Sequence, residues 1–376
     1  MTKGCPATPR IAIACGGTGG HFFPGVAVGD ALRERGAEVT LLISPKKIDR
    51  QAARTLEGFT IRDLPAVAFS MRSPLGFIRG FWRSLGAAAK VFKERPPAAV
   101  LAMGGFTSAA PIVQGWRRGA ATFLHESNAI PGRANRMLAP WVDGIFAGLE
   151  AARDRFLNTS TIVTGTPVRP GFVGLDPSVC RDRLGLDVQR PTLLVMGGSQ
   201  GARGVNDLML AALPGLVRAR PRWQVLHLAG EGEVERVRRA HERAGRDAQV
   251  HAFLDNMPAA LGAADVAVSR AGASSLAELA AARLPSVLVP YPLAADDHQR
   301  HNARGFEDAG GAVVVEQGTP PSQMIRAIDR LMENRNDMRA ALARQDVPGA
   351  ADRVAAQVLA GCGSPRRQFK WMTAWA

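Results

Sequence analysis

The chain has 376 residues, 46% of them hydrophobic and 21% charged, which excludes a peptide, a disulfide scaffold and a disordered chain and gives room for two α/β domains. Its 47 Lys and Arg against 33 Asp and Glu give +14, unevenly spread: residues 1–170 carry 22 basic and 11 acidic side chains, residues 171–376 carry 25 and 22. The first half is therefore expected to face something anionic, and charge alone does not choose among nucleic acid, an anionic membrane surface and a phosphorylated substrate.

Cys5, Cys15, Cys180 and Cys362 form no CxxC pair and no metal-type spacing, which points to a reducing compartment. The first residues lack the apolar core of a secretory signal. The uncharged run from Pro96 to Trp116 is interrupted by Pro96, Pro97, Gly104, Gly105, Pro111 and Gly115, and reads as strand, loop and helix rather than a membrane span.

In chain order, the apolar run Ile11–Cys15 leads into Gly16-Gly-Thr-Gly-Gly20 and a helical pattern from Pro24 to Arg35 that stops at Gly36. Strands are expected at Glu38–Ile43, at Ala98–Met103 running into Gly104-Gly105, at Thr122–His125 and at Thr161–Val163. The pattern restarts when Thr192–Met196 enters Gly197-Gly-Ser-Gln-Gly201 and a helix near Val205, followed by strands at Trp223–Leu228, Val250–Phe253, Asp265–Ser269 and Ser286–Val289. Alternation of this kind predicts right-handed βαβ units on parallel sheets. It makes two doubly wound domains that meet near Gly165-Thr-Pro-Val-Arg169 and face a cleft at the carboxyl ends of their strands.

A glycine loop between strand and helix lets main-chain N–H groups approach phosphate at the positive end of the helix, and three such loops are present. Neither GxGxxG nor GxxxxGK[ST] occurs, which disfavours a dinucleotide oxidoreductase and a P-loop ATPase and leaves enzymes that grip phosphate by helix ends. The segment Ser269–Glu278 follows a strand and opens a helix; Ser275 and Glu278 have capping-box spacing, so Glu278 reads equally as helix closure or as a carboxylate for ribose hydroxyls.

His21 follows the first glycine loop and is placed for general-base work, or else simply faces solvent at a helix start. His125 and Glu126 end another strand. Asp297 and His301 stand four apart, but no further ligands are near and no metal site is expected. In Phe69–Arg95, Ile78, Phe81, Trp82 and Leu85 form a helical apolar stripe among Arg72, Arg79, Arg83, Lys90, Lys93 and Arg95, the pattern of an interfacial helix or else of a core helix with solvated Arg. The basic, aromatic tail 366–375 repeats the theme.

Gly16–His21 with Phe23-Pro24, Met103–Phe106, His125-Glu-Ser-Asn128 with Pro131-Gly132, Gly165–Arg169, Gly197–Gly201 and Gly272–Glu278 follow one another along nearly the whole chain. In this order and spacing the series resembles the MurG glycosyltransferases. The resemblance implies a GT-B architecture of two Rossmann-like domains, an N-terminal acceptor and membrane-associating domain over residues 1–168 with residues 350–376 crossing back, and a C-terminal UDP-sugar domain over 169–349. It implies inverting transfer of N-acetylglucosamine from UDP-N-acetylglucosamine to the C4 hydroxyl of the muramoyl sugar of undecaprenyl-diphospho-N-acetylmuramoyl pentapeptide, lipid I. The place would be the cytoplasmic face of the inner membrane, with the protein held peripherally.

Carried over by residue, the resemblance puts Thr18, Gly19 and Gly20 at the cleft, Asn128 and Arg169 on the donor, and Ser199 near its diphosphate. It puts Leu254 at the uracil, Ala273, Ser274, Ser275, Leu276, Ala277 and Glu278 at phosphate and ribose, and Gln299 at the sugar. His21 is the candidate base, with Glu126 the alternative, and no cofactor is expected. The chain departs from the family pattern at Ser127, at Ala273–Ala277 and at Asp296-Asp297-His298. Two other readings stay open: a different GT-B enzyme, such as a glycolipid glycosyltransferase or UDP-N-acetylglucosamine 2-epimerase, and a nucleic-acid-binding protein, for which no recognition motif is present and Tyr291 is the only tyrosine.

Overall fold

The computed structural model describes residues 8–17, 19–46, 50, 53, 56–65, 74–156, 160–198 and 201–363. It divides into one unit of residues 1–167 with 349–376 and a second of residues 168–348. Among the described residues the first unit contains β1 (Arg10–Ala14), α1 (Gly19–Glu34), β2 (Glu38–Ile43), β3 (Thr60–Asp63), α2 (Pro74–Glu94), β4 (Ala99–Ala102), α3 (Ala109–Arg118), β5 (Ala121–Glu126), α4 (Arg133–Leu138), β6 (Gly144–Ala147), α5 (Glu150–Arg153) and β7 (Thr161–Val163). The second contains α6 (Pro177–Arg183), β8 (Thr192–Met196), α7 (Arg203–Ala219), β9 (Gln224–Leu228), α8 (Val234–Arg243), β10 (Ala248–His251), α9 (Met257–Ala263), β11 (Val266–Ser269), α10 (Ala273–Ala281), β12 (Ser286–Leu288), α11 (His298–Asp308), β13 (Ala312–Val314), α12 (Pro321–Glu333) and α13 (Arg335–Gln345). The last helix, α14 (Ala350–Gly361), belongs to the first unit.

Each unit is built on one parallel sheet, in the orders β3-β2-β1-β4-β5-β6-β7 and β10-β9-β8-β11-β12-β13. A parallel sheet covered on both faces needs strands apolar on both sides, which is why they read as unbroken Val, Ile, Leu and Ala runs. Alternate residues then divide between two cores. Ile11, Ile13, Val39, Leu41 and Leu101 pack with Val354, Ala355 and Val358 of α14. Ala12, Ala14, Leu42, Val100 and Leu124 pack on the other side with Leu85 and Phe92 of α2. In the second unit Leu194, Met196, Leu226 and Ala267 oppose Leu193, Val195, Val225 and Val266 in the same way.

The order reverses direction between β1 and β4 and between β8 and β11. At such a switch point the two connecting helices leave on opposite faces of the sheet and open a crevice at the strands' carboxyl ends. Gly16, Gly104, Gly197 and Gly272 all follow these four strands, so topology alone gathers the glycine motifs of each unit at its own switch point.

Three strands were not anticipated: β3, β6 and β13 are short, and β3, with sequence Thr-Ile-Arg-Asp, lies at a sheet edge, where an apolar run is not required. The expected strand at Val250–Phe253 is displaced to Ala248–His251, where main-chain pairing with β9 carries the polar Gln249 and His251. Helix α1 begins at Gly19 rather than Pro24, since Phe22 and Pro24 are both buried and packing extends the helix through the proline.

Candidate functional site

The switch point of the first unit is shaped by close main-chain approaches. A Cβ on Gly16 would lie 2.2 Å from the Ser44 main-chain nitrogen, so β1 can pass β2 there only as glycine. Thr107 Oγ1 donates to the Gly16 carbonyl at 2.8 Å, Lys46 Nζ donates to that of Gly17 at 3.1 Å, and Ser108 Oγ donates to that of Gly104 at 2.7 Å. Thr18 lies outside the described residues, whereas Gly19 and Gly20 form the first turn of α1, which contains no acidic residue.

His21, half-buried, is the third residue of α1. Its ring rests on Gly104-Gly105: a Cβ on Gly104 would be 2.9 Å from Nε2, and one on Gly105 would be 3.2 Å from Cε1. The pair read from the sequence as a third phosphate loop is thus the seat of the imidazole, with no room for a side chain beneath it.

Glu126 ends β5 buried, and both its oxygens are occupied. Oε1 accepts from the main-chain and side-chain nitrogens of Asn128, each at 2.9 Å; Oε2 accepts from the Gly132 nitrogen and from Asn135 Nδ2, each at 2.9 Å. The motif from His125 to Gly132 is therefore one loop folded around a carboxylate. His125 is fully buried between the Gly165 carbonyl, 3.1 Å from Nε2, and Ser127 Oγ, 3.3 Å from Nδ1. Burial holds it down to about 4, so the ring is neutral, with Nε2–H donating to Gly165 and Nδ1 accepting from Ser127. Asn135, which sequence reading missed, donates to Glu126 and to the His125 carbonyl; its polar role carries no sequence pattern of its own.

In the second unit a Cβ on Gly197 would be 2.3 Å from the Ala202 nitrogen, and one on Gly201 would be 2.7 Å from the Ala229 carbonyl oxygen. Ser199 lies outside the described residues. Helix α7 starts from Ala202 and α10 from Gly272; neither start has a side-chain cap or an acidic residue in its first turn. The first N–H groups of both helices are thus not taken up by a capping side chain.

The capping-box reading of Ser275 and Glu278 is corrected by this start, because a box requires Ser275 at the N-cap and that place belongs to Gly272. Glu278 instead stands in the second turn of α10, half-buried. Desolvation pushes its carboxyl up to about 7, and the Arg169 guanidinium pulls the other way. Burial likewise lowers Arg169, with Glu278 opposing. Ala273, Ser274, Ser275, Leu276 and Ala277 occupy the first turns of α10, with Leu276 buried in the core, and Leu254 is half-buried against that same core.

Gln299 Oε1 accepts from the Tyr291 nitrogen at 3.0 Å and so fastens the loop between β12 and α11. Asp296 and Asp297 are both left-handed there, with φ of 52° and 54°. Since Asp297 precedes the helix, it does not share a helical face with His301 as the sequence suggested. Arg270, also missed, is buried and donates to the Val289 and Pro290 carbonyls at 3.1 and 3.0 Å and to Gln317 Oε1 at 2.7 Å, tying together the loops after β11, β12 and β13.

The apolar stripe of α2 splits. Leu85 is 6% exposed and Phe81 is half-buried in the core, whereas Ile78 and Trp82 are 50% and 63% exposed. Phe81 and Leu85 are therefore both removed from the expected membrane-facing set: the Ile78–Trp82 line is rotated about 60° from the Phe81–Leu85 line, and only the latter faces the sheet. Gln114 Nε2 of α3 donates to the Leu85 carbonyl at 3.2 Å, which pins α2 in that rotation. No described helix is long and apolar enough to cross a membrane.

Residues 11–147 match the glycosyltransferase family 28 N-terminal domain and residues 192–355 its C-terminal domain. The chain is 37% identical over 361 residues, 92% of it and 97% of the relative, to the UDP-N-acetylglucosamine--N-acetylmuramyl-(pentapeptide) pyrophosphoryl-undecaprenol N-acetylglucosamine transferase of Syntrophotalea carbinolica. It is 39% identical over 336 residues to the protein of that name from Geobacter sulfurreducens, covering 86% of this chain and 90% of the relative. Among solved structures, Acinetobacter baumannii MurG superposes with a TM-score of 0.71 at 24% identity, covering 93% of this chain and 99% of that one. A Listeria monocytogenes protein described as a putative UDP-N-acetylglucosamine 2-epimerase gives 0.69 at 16%, over 94% and 96%.

Proposed function

Because the chain belongs to glycosyltransferase family 28, and within it to the MurG family, we propose that it moves N-acetylglucosamine from UDP-N-acetylglucosamine to the muramoyl sugar of lipid I, giving lipid II. It is an N-acetylglucosaminyltransferase of peptidoglycan synthesis with two parallel-sheet α/β domains of GT-B type. One observation carries this reading: relatives named for one donor and one acceptor match at 37–39% identity over nearly the full chain. The two folds above do not separate transferase from epimerase, so identity over the whole length decides.

The second unit is the donor unit in this proposal. The uncapped starts of α7 and α10 offer N–H groups and positive dipole ends to the diphosphate, where charge grows as UDP departs. Glu278 accepts from ribose hydroxyls, with Arg169 opposing its desolvation. Leu254 flanks the uracil, and Gln299, fixed through Tyr291, meets the sugar.

His21 is the proposed base. The C4 hydroxyl of the muramoyl sugar attacks the anomeric carbon from the face opposite UDP, its proton passes to an imidazole nitrogen, and the bond to the β-phosphate oxygen breaks, inverting the configuration. Gly104-Gly105 fix the plane of the ring. Glu126 is a positioning residue, since each of its oxygens already accepts two hydrogen bonds.

Ile78 and Trp82, with Arg79 and Arg83, dock on an anionic membrane surface at its cytoplasmic face, where a polyprenyl-diphosphate acceptor is held. The test is transfer of radiolabelled sugar from UDP-N-acetylglucosamine to lipid I. Conversion of the donor in the absence of acceptor would instead make the protein an epimerase.

A further inference from the structure

His227 is the fourth of the five residues of β9, fully buried between Leu226 and Leu228, where an aliphatic residue would serve packing alone. Its Nε2 is 3.1 Å from Asn206 Oδ1, and its Nδ1 is 3.2 Å from Nε2 of His241, itself 5% exposed on α8. Asn206, fully buried in the first turns of α7, donates from Nδ2 to the Ala229 carbonyl at 3.0 Å.

These contacts admit one arrangement of protons. Asn206 Nδ2 is fixed by a carbonyl acceptor, so Oδ1 faces His227, whose Nε2 must carry hydrogen. Burial holds His227 down to about 3 and His241 to about 4, and the neutral His227 ring then has a bare Nδ1, which accepts from His241 Nε2–H. His241 Nδ1 is left as an acceptor with no partner among the described residues. Donation thus runs one way, from His241 to His227 to Asn206 to the Ala229 carbonyl. Gly201 rests against that same carbonyl, since a Cβ on Gly201 would be 2.7 Å from its oxygen and 2.8 Å from Gly230 Cα.

We propose that His227, set in one tautomer by His241, is a positioning residue for the donor diphosphate, acting through Asn206 to lock Gly201 and the start of α7 onto the end of β9. The inference rests on the donor reading of the start of α7. It adds that three polar groups with no access to substrate set the geometry of the diphosphate seat, which a hydrophobic isostere in β9 would leave without its anchor.

The experiment compares His227→Leu, His227→Asn and His227→Gln in the full chain by calorimetric titration with UDP and by steady-state kinetics. Gln can present an N–H near the place of Nε2; Asn presents one only near Nδ1, and Leu none. For Leu and Asn, UDP Kd and donor KM rise about tenfold, the order of one lost hydrogen bond to a buried acceptor. Acceptor KM and kcat at saturating donor stay within about threefold, and Gln restores UDP binding to within about threefold of wild type. Should His227→Leu fail to fold, the Asn and Gln pair still carries the comparison. Equal UDP Kd in the Asn and Gln variants, or a loss confined to melting temperature with donor KM unchanged, overturns the proposal. Wild-type protein that binds no UDP overturns the donor reading and this inference with it.

Discussion

Asn128 gives Glu126 two hydrogen bonds to the same oxygen, each 2.9 Å, one from its main chain and one from its side chain. With Gly132 and Asn135 on the other oxygen, the carboxylate is a four-point clasp on its own loop. Glu126→Gln places an NH2 against two donors whichever way the amide turns. The expected cost is about 3 kcal/mol, from two charge-assisted bonds lost and unreplaced, read by chemical denaturation. Activity falls with it, and added formate does not restore it. Normal stability together with rescue by formate would return Glu126 to the role of base.

His21→Ala tests the base directly. Turnover should drop roughly 10²–10⁴-fold while UDP Kd stays unchanged, because the residue belongs to the first unit and the nucleotide is read to the second. His21→Gln fills the seat on Gly104-Gly105 without a titrating group and should be equally slow. Turnover within a few-fold of wild type in either variant removes His21 from the mechanism.

Glu278 links activity and stability to pH with opposite signs. Its folded carboxyl titrates at about 7, above the ordinary value of 4.5, so its contribution to stability is fully present below about 4.5 and is lost as pH rises through 7. Ionisation over that same range creates the acceptor for ribose hydroxyls, so UDP should bind up to about tenfold tighter at pH 8 than at pH 6. Glu278→Gln is expected to stabilise the fold at pH 8 by on the order of 1–3 kcal/mol, weaken UDP binding and flatten its pH dependence. Unfolding curves and calorimetry at the two pH values check both signs.

Strand, loop and helix order was legible because parallel strands need continuous apolar runs, and glycines at 16, 104 and 197 mark where the chain turns at the sheet. Sheet order was not, so nothing in the sequence placed β1 beside β4 or β8 beside β11. Motif residues showed their positions but not their partners. The sequence marked Glu126 as a candidate base without showing that Asn128, Gly132 and Asn135 all donate to it, and marked Gly104-Gly105 without showing the His21 ring that rests there. Arg270, Asn135 and Asn206 were invisible, since a buried polar residue defined only by what folds against it leaves no periodic trace.

Gly197 and Gly198 are adjacent, yet their replacement by Ala should differ sharply. At Gly197 the new Cβ would meet the Ala202 main-chain nitrogen at 2.3 Å and the Gly201 carbonyl carbon at 2.7 Å, both backbone atoms that do not yield cheaply. At Gly198 no described residue lies within 4 Å of the new Cβ, and the penalty is that of a left-handed backbone at φ of 84°, worth about 1 kcal/mol. Gly197→Ala is therefore expected to cost about 3 kcal/mol or more, by the overpacking of a rigid site. Thermal unfolding of the two variants side by side gives the comparison, and equal melting temperatures would show that the loop accommodates a methyl group.

The two lines of α2 make separable predictions about the membrane. Ile78 and Trp82 expose apolar surface that is worth about 1.5–3 kcal/mol each when covered, and each nearby arginine adds about 1 kcal/mol at an anionic leaflet. A double Ile78→Glu and Trp82→Glu variant should lose flotation with vesicles containing anionic lipid while unfolding at the wild-type temperature, since neither side chain supports the core. Leu85→Ala should behave inversely, losing about 2–5 kcal/mol of stability as a core cavity but floating normally while folded. Binding of the wild type should weaken as salt is raised, because screening removes the arginine share and leaves the apolar one. Flotation unchanged in the double Glu variant would mean that the exposed line of α2 is not the docking face.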